Sequence, residues 1–289
     1  MKTARKAVVW KKLCLLVFPL ASIVFFFFSC QTEESLRKSR IEQLEKGLYR
    51  AVYFKGQMPE KLKLADRLQF FKVPGISLAV VDKDRVDWFK TYGYRDIIKY
   101  EKLTPDTVFQ VGELSQPVAA AVVLAEVARG HLKLEEEVGS YYENLIFAGR
   151  KFRPQGRISF TLSQLLSHSA GFYPWTSAGY PAEAELPDLI QILKGEEPAG
   201  NFFSWRGFDQ QAGIRYSDFN YVLLQQFLEE KTGKKLPELA REDIFGPLEI
   251  KMTAWRLPET ADVAIGHARE GVAVEGGYHR YPEEAARGL

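Results

Sequence analysis

Histidine, cysteine and acidic residues at metal-ligand spacing would be the first sign of a metal-dependent enzyme, and this sequence gives no such sign. It contains no His-Glu-x-x-His motif, so a zinc hydrolase is not expected. Its two cysteines are too few for a structural zinc site or a disulfide framework. Glycine-rich loops that bind phosphates are also absent. We therefore predict neither a metal nor a cofactor.

A serine followed three residues later by a lysine is another arrangement that can do chemistry. One helical turn places the amine beside the hydroxyl, which can then attack an acyl carbon while the lysine accepts or relays the proton. The only literal match in the chain is Ser35-Leu-Arg-Lys38. It lies in a polar, charged segment close to the N-terminus, and we interpret it as a chance match.

The composition is that of a folded globular protein, with 46% apolar and 26% charged residues. This excludes a disordered chain, a collagen-like repeat and a coiled coil. The 39 basic and 37 acidic residues give a net charge of +2, which offers no reason to expect nucleic-acid binding. The length of 289 residues is consistent with one large domain or two interleaved ones.

The N-terminus has the pattern of an export signal. Basic residues from Lys2 to Lys12 precede an apolar run from Leu13 to Phe28, which ends at Ser29-Cys30. A transmembrane anchor is the alternative, but this run is shorter than the ~20 residues that a spanning helix needs. We predict that residues 1–29 are a lipoprotein signal peptide, that Cys30 is lipidated, and that residues 30–40 are a tether. The protein would then be exported and lipid-anchored to a bacterial membrane, on its periplasmic or cell-surface side.

Residues 41–289 are predicted to form one α+β domain. A helix with one apolar face is expected from Ile41 to Val52, and a short helix from Pro59 to Phe71. Alternating apolar residues on either side of an 82–85 turn predict a hairpin over 76–92. Further helices are expected over 112–129, which is apolar nearly all round and ends at Gly130, and over 158–167, 186–193, 220–231 and 236–244.

Six segments together resemble the serine β-lactamase and penicillin-binding-protein family, in particular its class C-like esterase and peptidase branch. In chain order they are 73–81 (VPGISLAVV), 104–110 (TPDTVFQ), 165–171 (LLSHSAG), 216–221 (YSDFNY), 244–248 (IFGPL) and 276–282 (GGYHRYP). The resemblance implies a transpeptidase-like fold, with an antiparallel sheet flanked by helices and a helical subdomain. It also implies a local structural role for His168, whereas His131 is expected at the surface.

The first catalytic motif of that family, Ser-x-x-Lys, is replaced in this chain. The aligned segment runs from Gly112 to Val118, with Glu113 at the nucleophile position and Gln116 at the lysine position. Ser115 corresponds to the middle residue of the motif, and the residue three positions later is a valine, which cannot act as its base. We therefore expect the nucleophile and the lysine to be lost.

The other two family motifs are retained only in part. Tyr216 matches the tyrosine of Tyr-x-Asn, and Asp218 stands where asparagine is usual. The third motif, Lys- or His-Thr-Gly on a strand, is matched as a string by 231–233. That string ends a predicted helix, where glycine is a cap and lysine complements the helix dipole. The pattern at 285–289 is followed in relatives by further helices and strands, so we expect a C-terminally truncated domain with an incomplete sheet.

Glu113 favours folding and opposes acyl transfer. It lies at a predicted helix N-terminus, where an acid contributes ~0.3–1 kcal/mol, and it could accept hydrogen bonds from the amides there. Together with Gln116 it makes the site two charges more negative than the family pattern. We therefore expect the site to repel the carboxylates that family substrates carry.

Two function classes remain open. The first is a catalytically inactive lipoprotein, either a pseudoenzyme that binds a small-molecule or peptidoglycan-type ligand or a truncated remnant. The second is an active serine hydrolase of the β-lactamase, esterase or D-Ala-D-Ala peptidase class that uses other residues. Loss of a nucleophile or base costs ~10⁴–10⁶ in turnover, which favours the first class.

Overall fold

The computed structural model describes residues 33–289, apart from 53, 148–157, 200–207, 210–212, 252, 256–260 and 269–270. The predicted signal peptide and Cys30 lie outside these residues. Among the described residues, no helix is both long and apolar enough to cross a membrane. The chain divides into two compact units, Met1–Gly93 and Tyr94–Leu289.

Two helices open the first unit, and both differ in extent from the prediction. Helix α1 covers 33–46, so most of the predicted tether is helical, and helix α2 is confined to Leu64–Phe70. Leu48 and Leu62 exchange backbone hydrogen bonds of 3.0 and 2.8 Å. Because this bridge needs extended backbone, it keeps both residues out of the helices.

The charged segment forms several ion pairs at the surface of α1. Arg37 and Arg40 both contact Asp87, with N–O distances of 3.0 and 3.5 Å. Glu34 and Lys38 form a further pair one helical turn apart, at 2.8 Å. The literal Ser-x-x-Lys match therefore supplies its lysine to a helix-surface ion pair.

The predicted hairpin is confirmed as strands β1 (Gly75–Asp82) and β2 (Arg85–Asp96). They pair antiparallel from Gly75↔Gly93 to Asp82↔Arg85, with an irregularity between Val80 and Val81. The two turn residues, Lys83 and Asp84, have φ angles of 51° and 61°. Positive φ at both positions matches the twist of a two-residue hairpin turn.

The end of β2 continues into the second unit and pairs antiparallel with β3 (Glu101–Lys102). Across the described ranges the strand order is β1-β2-β3, and the sheet is open. An α+β fold with an antiparallel sheet is therefore confirmed. The two-residue strand β3 was not predicted because it is too short for an alternating pattern.

The other regular elements described in the second unit are helical. They are α3 (Ser115–Ala128), α4 (Gly139–Phe147), α5 (Leu162–Leu166), α6 (Leu189–Lys194), α7 (Asp218–Thr232), α8 (Leu236–Ala240) and α9 (Glu284–Arg287), with a π-helical turn at Arg241–Phe245. Helices α4 and α9 were not predicted. The core is built around α7, which is buried along most of its length and packs against α3, α5, α6 and α9.

Capping residues account for two of the helix boundaries. Helix α5 begins four residues later than predicted because the Thr161 side chain accepts the Gln164 amide and the Gln164 side chain accepts the Thr161 amide. Helix α7 ends at Gly233, whose φ of 70° is typical of a C-cap glycine. Its neighbour Lys231 pairs with Glu136 at 2.7 Å. Residues 231–233 are thus a helix end, as predicted.

Candidate functional site

The site lies at the N-terminus of α3. A 3-10 turn at Gly112–Leu114 comes directly before this helix. The turn leaves the Glu113 side chain 54% exposed, whereas Gln116 on the first turn of α3 is buried. Ser115 is fully buried. Its hydroxyl donates to the Gly112 carbonyl at 2.6 Å and accepts from the Leu289 amide at 2.9 Å. Ser115 therefore fixes the backbone at this corner.

Gln116 lies at the centre of a buried hydrogen-bond network. Its Nε2 donates to the Tyr216 hydroxyl at 2.8 Å and to Asp218 Oδ1 at 3.1 Å. Its Oε1 lies 3.0 Å from His168 Nε2. The structure thus brings together the two residues predicted from the Tyr-x-Asn motif and the residue at the lysine position.

Asp218 is the first residue of α7 and is completely buried. The helix N-terminus favours its negative charge. Its Oδ1 also accepts from the Tyr216 hydroxyl at 2.6 Å, and its Oδ2 accepts from Ser177 N at 3.0 Å and Arg287 Nε at 2.6 Å. Burial, followed by the hydrogen bond to Asp218, raises the pKa of Tyr216, so its phenol stays protonated at neutral pH.

Arg287 on α9 bridges Asp218 and Glu113, and its role was not predicted. Its Nε donates to Asp218 and its Nη2 to Glu113. Burial opposes its charge, but the hydrogen bond to Asp218 and the two nearby acids outweigh that effect and raise its pKa. One expectation is corrected: among the described residues no backbone amide donates to Glu113, which pairs with Arg287 instead. The positive charge of Arg287 lies between the two acids Glu113 and Asp218.

His168 belongs to the site, although the sequence suggested only a local structural role. Its φ is 55°, and its Nδ1 faces the Ser217 amide at 3.4 Å and Asn220 Nδ2 at 3.3 Å. Since Nδ1 receives two donors, the proton of the neutral ring is assigned to Nε2, which donates to Gln116. Burial lowers the pKa of His168, so the ring is neutral at neutral pH. His131, by contrast, lies at the surface beside Glu126.

Glu283, at the N-cap of α9, is a second residue that sequence reasoning missed. It is only 1% exposed, and neither carboxylate oxygen has a hydrogen-bond partner among the described residues. Burial raises its pKa, although the nearby Ser177 acts in the opposite direction. The one sequence signal was the spacing of Glu283 and Arg287, an acid and a base four residues apart. Across the described ranges, no three His, Cys, Asp or Glu residues could hold a metal ion.

The sequence model of the β-lactamase family matches residues 64–288. The chain therefore belongs to this family, whose members include serine hydrolases. A curated relative, the teichoic acid D-alanine hydrolase of Staphylococcus aureus, is 26% identical over 262 residues, covering 84% of this chain. The chain spans 60% of the length of that relative.

Solved structures share the fold at low sequence identity. The octameric penicillin-binding protein homologue from Pyrococcus abyssi has a TM-score of 0.58 at 24% identity, covering 78% of this chain and 51% of that one. EstCE1, a hydrolase with promiscuous acyltransferase activity, has a TM-score of 0.61 at 17% identity, covering 78% of this chain and 66% of that one. At these identities the likeness establishes the fold alone.

Proposed function

We propose that this member of the β-lactamase family has lost acyl transfer and acts as an exported, lipid-anchored protein of the cell envelope. Its site would bind a small molecule or a peptidoglycan-type ligand without cleaving it. The observation that carries the proposal is the side chain at the lysine position. Gln116 there is a buried amide that donates to Tyr216 and Asp218.

Each step of serine-type acyl transfer lacks a suitable group at this site. The one hydroxyl on the first turn of α3, that of Ser115, is buried and occupied by two backbone contacts. Glu113 is held by Arg287. Gln116 cannot accept a proton at neutral pH, and the raised pKa of Tyr216 makes its phenol a poor general base. Without a free nucleophile at these positions, the site retains positioned hydrogen-bond donors and acceptors and the charge of Arg287.

An active hydrolase remains the second candidate, because one specific observation favours it. The tyrosine–aspartate pair of the second motif is present, with Tyr216 OH donating to Asp218 at 2.6 Å. The curated relative is also a hydrolase by name. Activity would then depend on a nucleophile other than Glu113 or Ser115.

Covalent labelling separates the two candidates. The protein is incubated with a fluorescent penicillin and, separately, with a fluorophosphonate, and its intact mass is measured, with an active class C β-lactamase as positive control. We expect no adduct on the wild type. A stoichiometric adduct on any residue would overturn the inactive assignment. Glu113→Ser with Gln116→Lys tests sufficiency, because labelling of that variant alone would show that these two substitutions abolish the chemistry.

The envelope location is proposed from the N-terminal pattern and from the relative named for teichoic acid. Metabolic labelling of the full chain with a fatty acid in a bacterial host should mark the wild type and leave Cys30→Ser unmarked. Cys14→Ser, which changes the other cysteine, is the matched control and should label like the wild type. Equal labelling of wild type and Cys30→Ser would exclude lipidation at Cys30.

A further inference from the structure

We propose that Arg287 anchors a carboxylate-binding subsite, and that Glu113 occupies this subsite as an internal carboxylate. The inference deepens the proposed function, since it assumes that the site binds a ligand and names the chemical class of that ligand. It also reverses the charge argument from the sequence, which predicted repulsion of carboxylates.

The two carboxylates that contact the Arg287 guanidinium are not held equally firmly. On its inner side, Nε donates to Asp218, which is fully buried. Asp218 also accepts from Tyr216, Gln116 and the Ser177 amide. These three donors hold the carboxylate in place, and through it they fix the orientation of the guanidinium. Arg287 itself is only 13% exposed.

The outer side of the guanidinium contacts a carboxylate that can leave. Glu113 is 54% exposed and lies in a 3-10 turn. The preceding Gly112 has a φ of 58°, and an added Cβ there would meet no atom within 4 Å. The turn is thus sterically open on that side. Because the Glu113 side chain faces water, solvent weakens its attraction to Arg287, so an external carboxylate can compete with Glu113 for Nη2.

The surroundings favour a carboxylate that is attached to an apolar group. Leu114, next to Glu113, is 63% exposed, and Tyr216 is 41% exposed while its hydroxyl is held in the network. An arginine whose orientation is fixed recognises planar carboxylates by geometry as well as charge. Benzoate carries both features and is a suitable probe, and benzamide is its neutral counterpart of the same shape.

The experiment measures the dissociation constant of benzoate by NMR titration of the full folded protein. Glu113→Gln and Glu113→Ala should bind benzoate about two- to five-fold more tightly than the wild type, since the internal competitor is weakened or removed. Glu242→Gln is the matched control. Glu242 is also an exposed acid paired with a cation, Lys234, and is 51% exposed. This control should bind benzoate like the wild type, and benzamide should bind to none of the variants.

Arg287→Lys tests the anchor, because it keeps a positive charge beside Asp218 and loses the planar fork. We expect benzoate binding to be lost in this variant. If Arg287→Lys fails to fold, tighter benzoate binding by Glu113→Gln still tests whether Glu113 occupies the subsite. The proposal is overturned if Glu113→Gln and Glu242→Gln have the same effect, or if inorganic phosphate binds as tightly as benzoate. A penicillin adduct would refute the proposed loss of acyl transfer. It would leave the benzoate titration unaffected, since benzoate cannot acylate the protein.

Discussion

Arg129 and Arg287, both in the second unit, each bridge two acids, and these two clusters have opposite layouts. Arg129 donates to Glu126 and to Asp243, with both N–O distances 2.5 Å. Here the arginine is 46% exposed, and the acid side chains are only 5% and 2% exposed. The cation faces water and the acids are enclosed, so no ligand carboxylate can take the place of either acid without unfolding that part of the chain.

The Arg287 cluster has the cation enclosed and one acid in water. Asp218 is fully buried, Arg287 is 13% exposed, and Glu113 is 54% exposed. Each cluster contains one arginine and two acids. Around Arg129 they form a fixed structural link, whereas around Arg287 the contact with Glu113 is exchangeable. Which partner faces water, more than the number of ion pairs, thus decides whether an acid of such a cluster can be exchanged for a ligand.

The largest expected effect on the free energy of unfolding comes from neutralising Asp218, the buried acid that pairs with the enclosed Arg287. Asp218→Asn should lower the free energy of unfolding by about 3–5 kcal/mol, because Arg287 keeps a buried charge without its main partner. Asp243→Asn should cost less, since Arg129 is exposed and stays paired with Glu126. Urea denaturation of both variants measures the difference. Equal losses would show that exposure of the arginine does not set the cost.

A smaller difference is expected between the glutamates of the two clusters. Glu126 is buried and also accepts from His131 Nδ1 at 2.8 Å. Glu126→Gln should therefore lower the free energy of unfolding by about 1–3 kcal/mol, the cost of impairing buried hydrogen bonds. Glu113→Gln should change it by less than about 1 kcal/mol, because the Glu113 carboxylate faces water and Arg287 stays paired with Asp218. Thermal and urea unfolding at low and high salt would check both values, and a larger loss for Glu113→Gln would contradict the exchangeable contact.

The smallest effect concerns the pH dependence of stability and His168, which is hydrogen-bonded to Gln116. Because burial lowers the pKa of His168, the unfolded chain binds more protons than the folded one as pH falls below about 6.5. The contribution of His168 to the free energy of unfolding is therefore complete above that pH and decreases as pH falls towards the folded-state pKa. His168→Gln should flatten the unfolding free energy between pH 7.5 and pH 5. An unchanged slope in that variant would assign the pH dependence to other groups.

Local patterns allowed part of the fold to be predicted. The hairpin followed from alternation and turn residues, and the end of α7 followed from Gly233. Helix limits were less accurate where a cap or a distant backbone bridge decides them, as at Thr161 and at Leu48. Such contacts are invisible to periodicity, because they depend on which residues meet after folding.

The candidate site was predicted in its positions and only partly in its chemistry. Family motifs pointed to Glu113, Gln116, Tyr216 and Asp218, and the structure places them in one linked cluster. Arg287 could not be foreseen, since it is 174 residues from Glu113 and 69 from Asp218 along the chain. The spacing of Glu283 and Arg287 is a local signal that does not reveal these distant partners. The charge expectation counted only the motif positions, and the positive charge that Arg287 places beside them depends on tertiary contacts.

The central position of Gln116 has a consequence for proton movement. His168 and Tyr216 are both groups that can exchange protons, and Gln116 is the residue that joins them. An amide has two donors on nitrogen and an acceptor oxygen, and it cannot pass a proton from one to the other without losing its stable bonding. Gln116 thus fixes the imidazole and the phenol relative to each other, but it does not relay a proton between them.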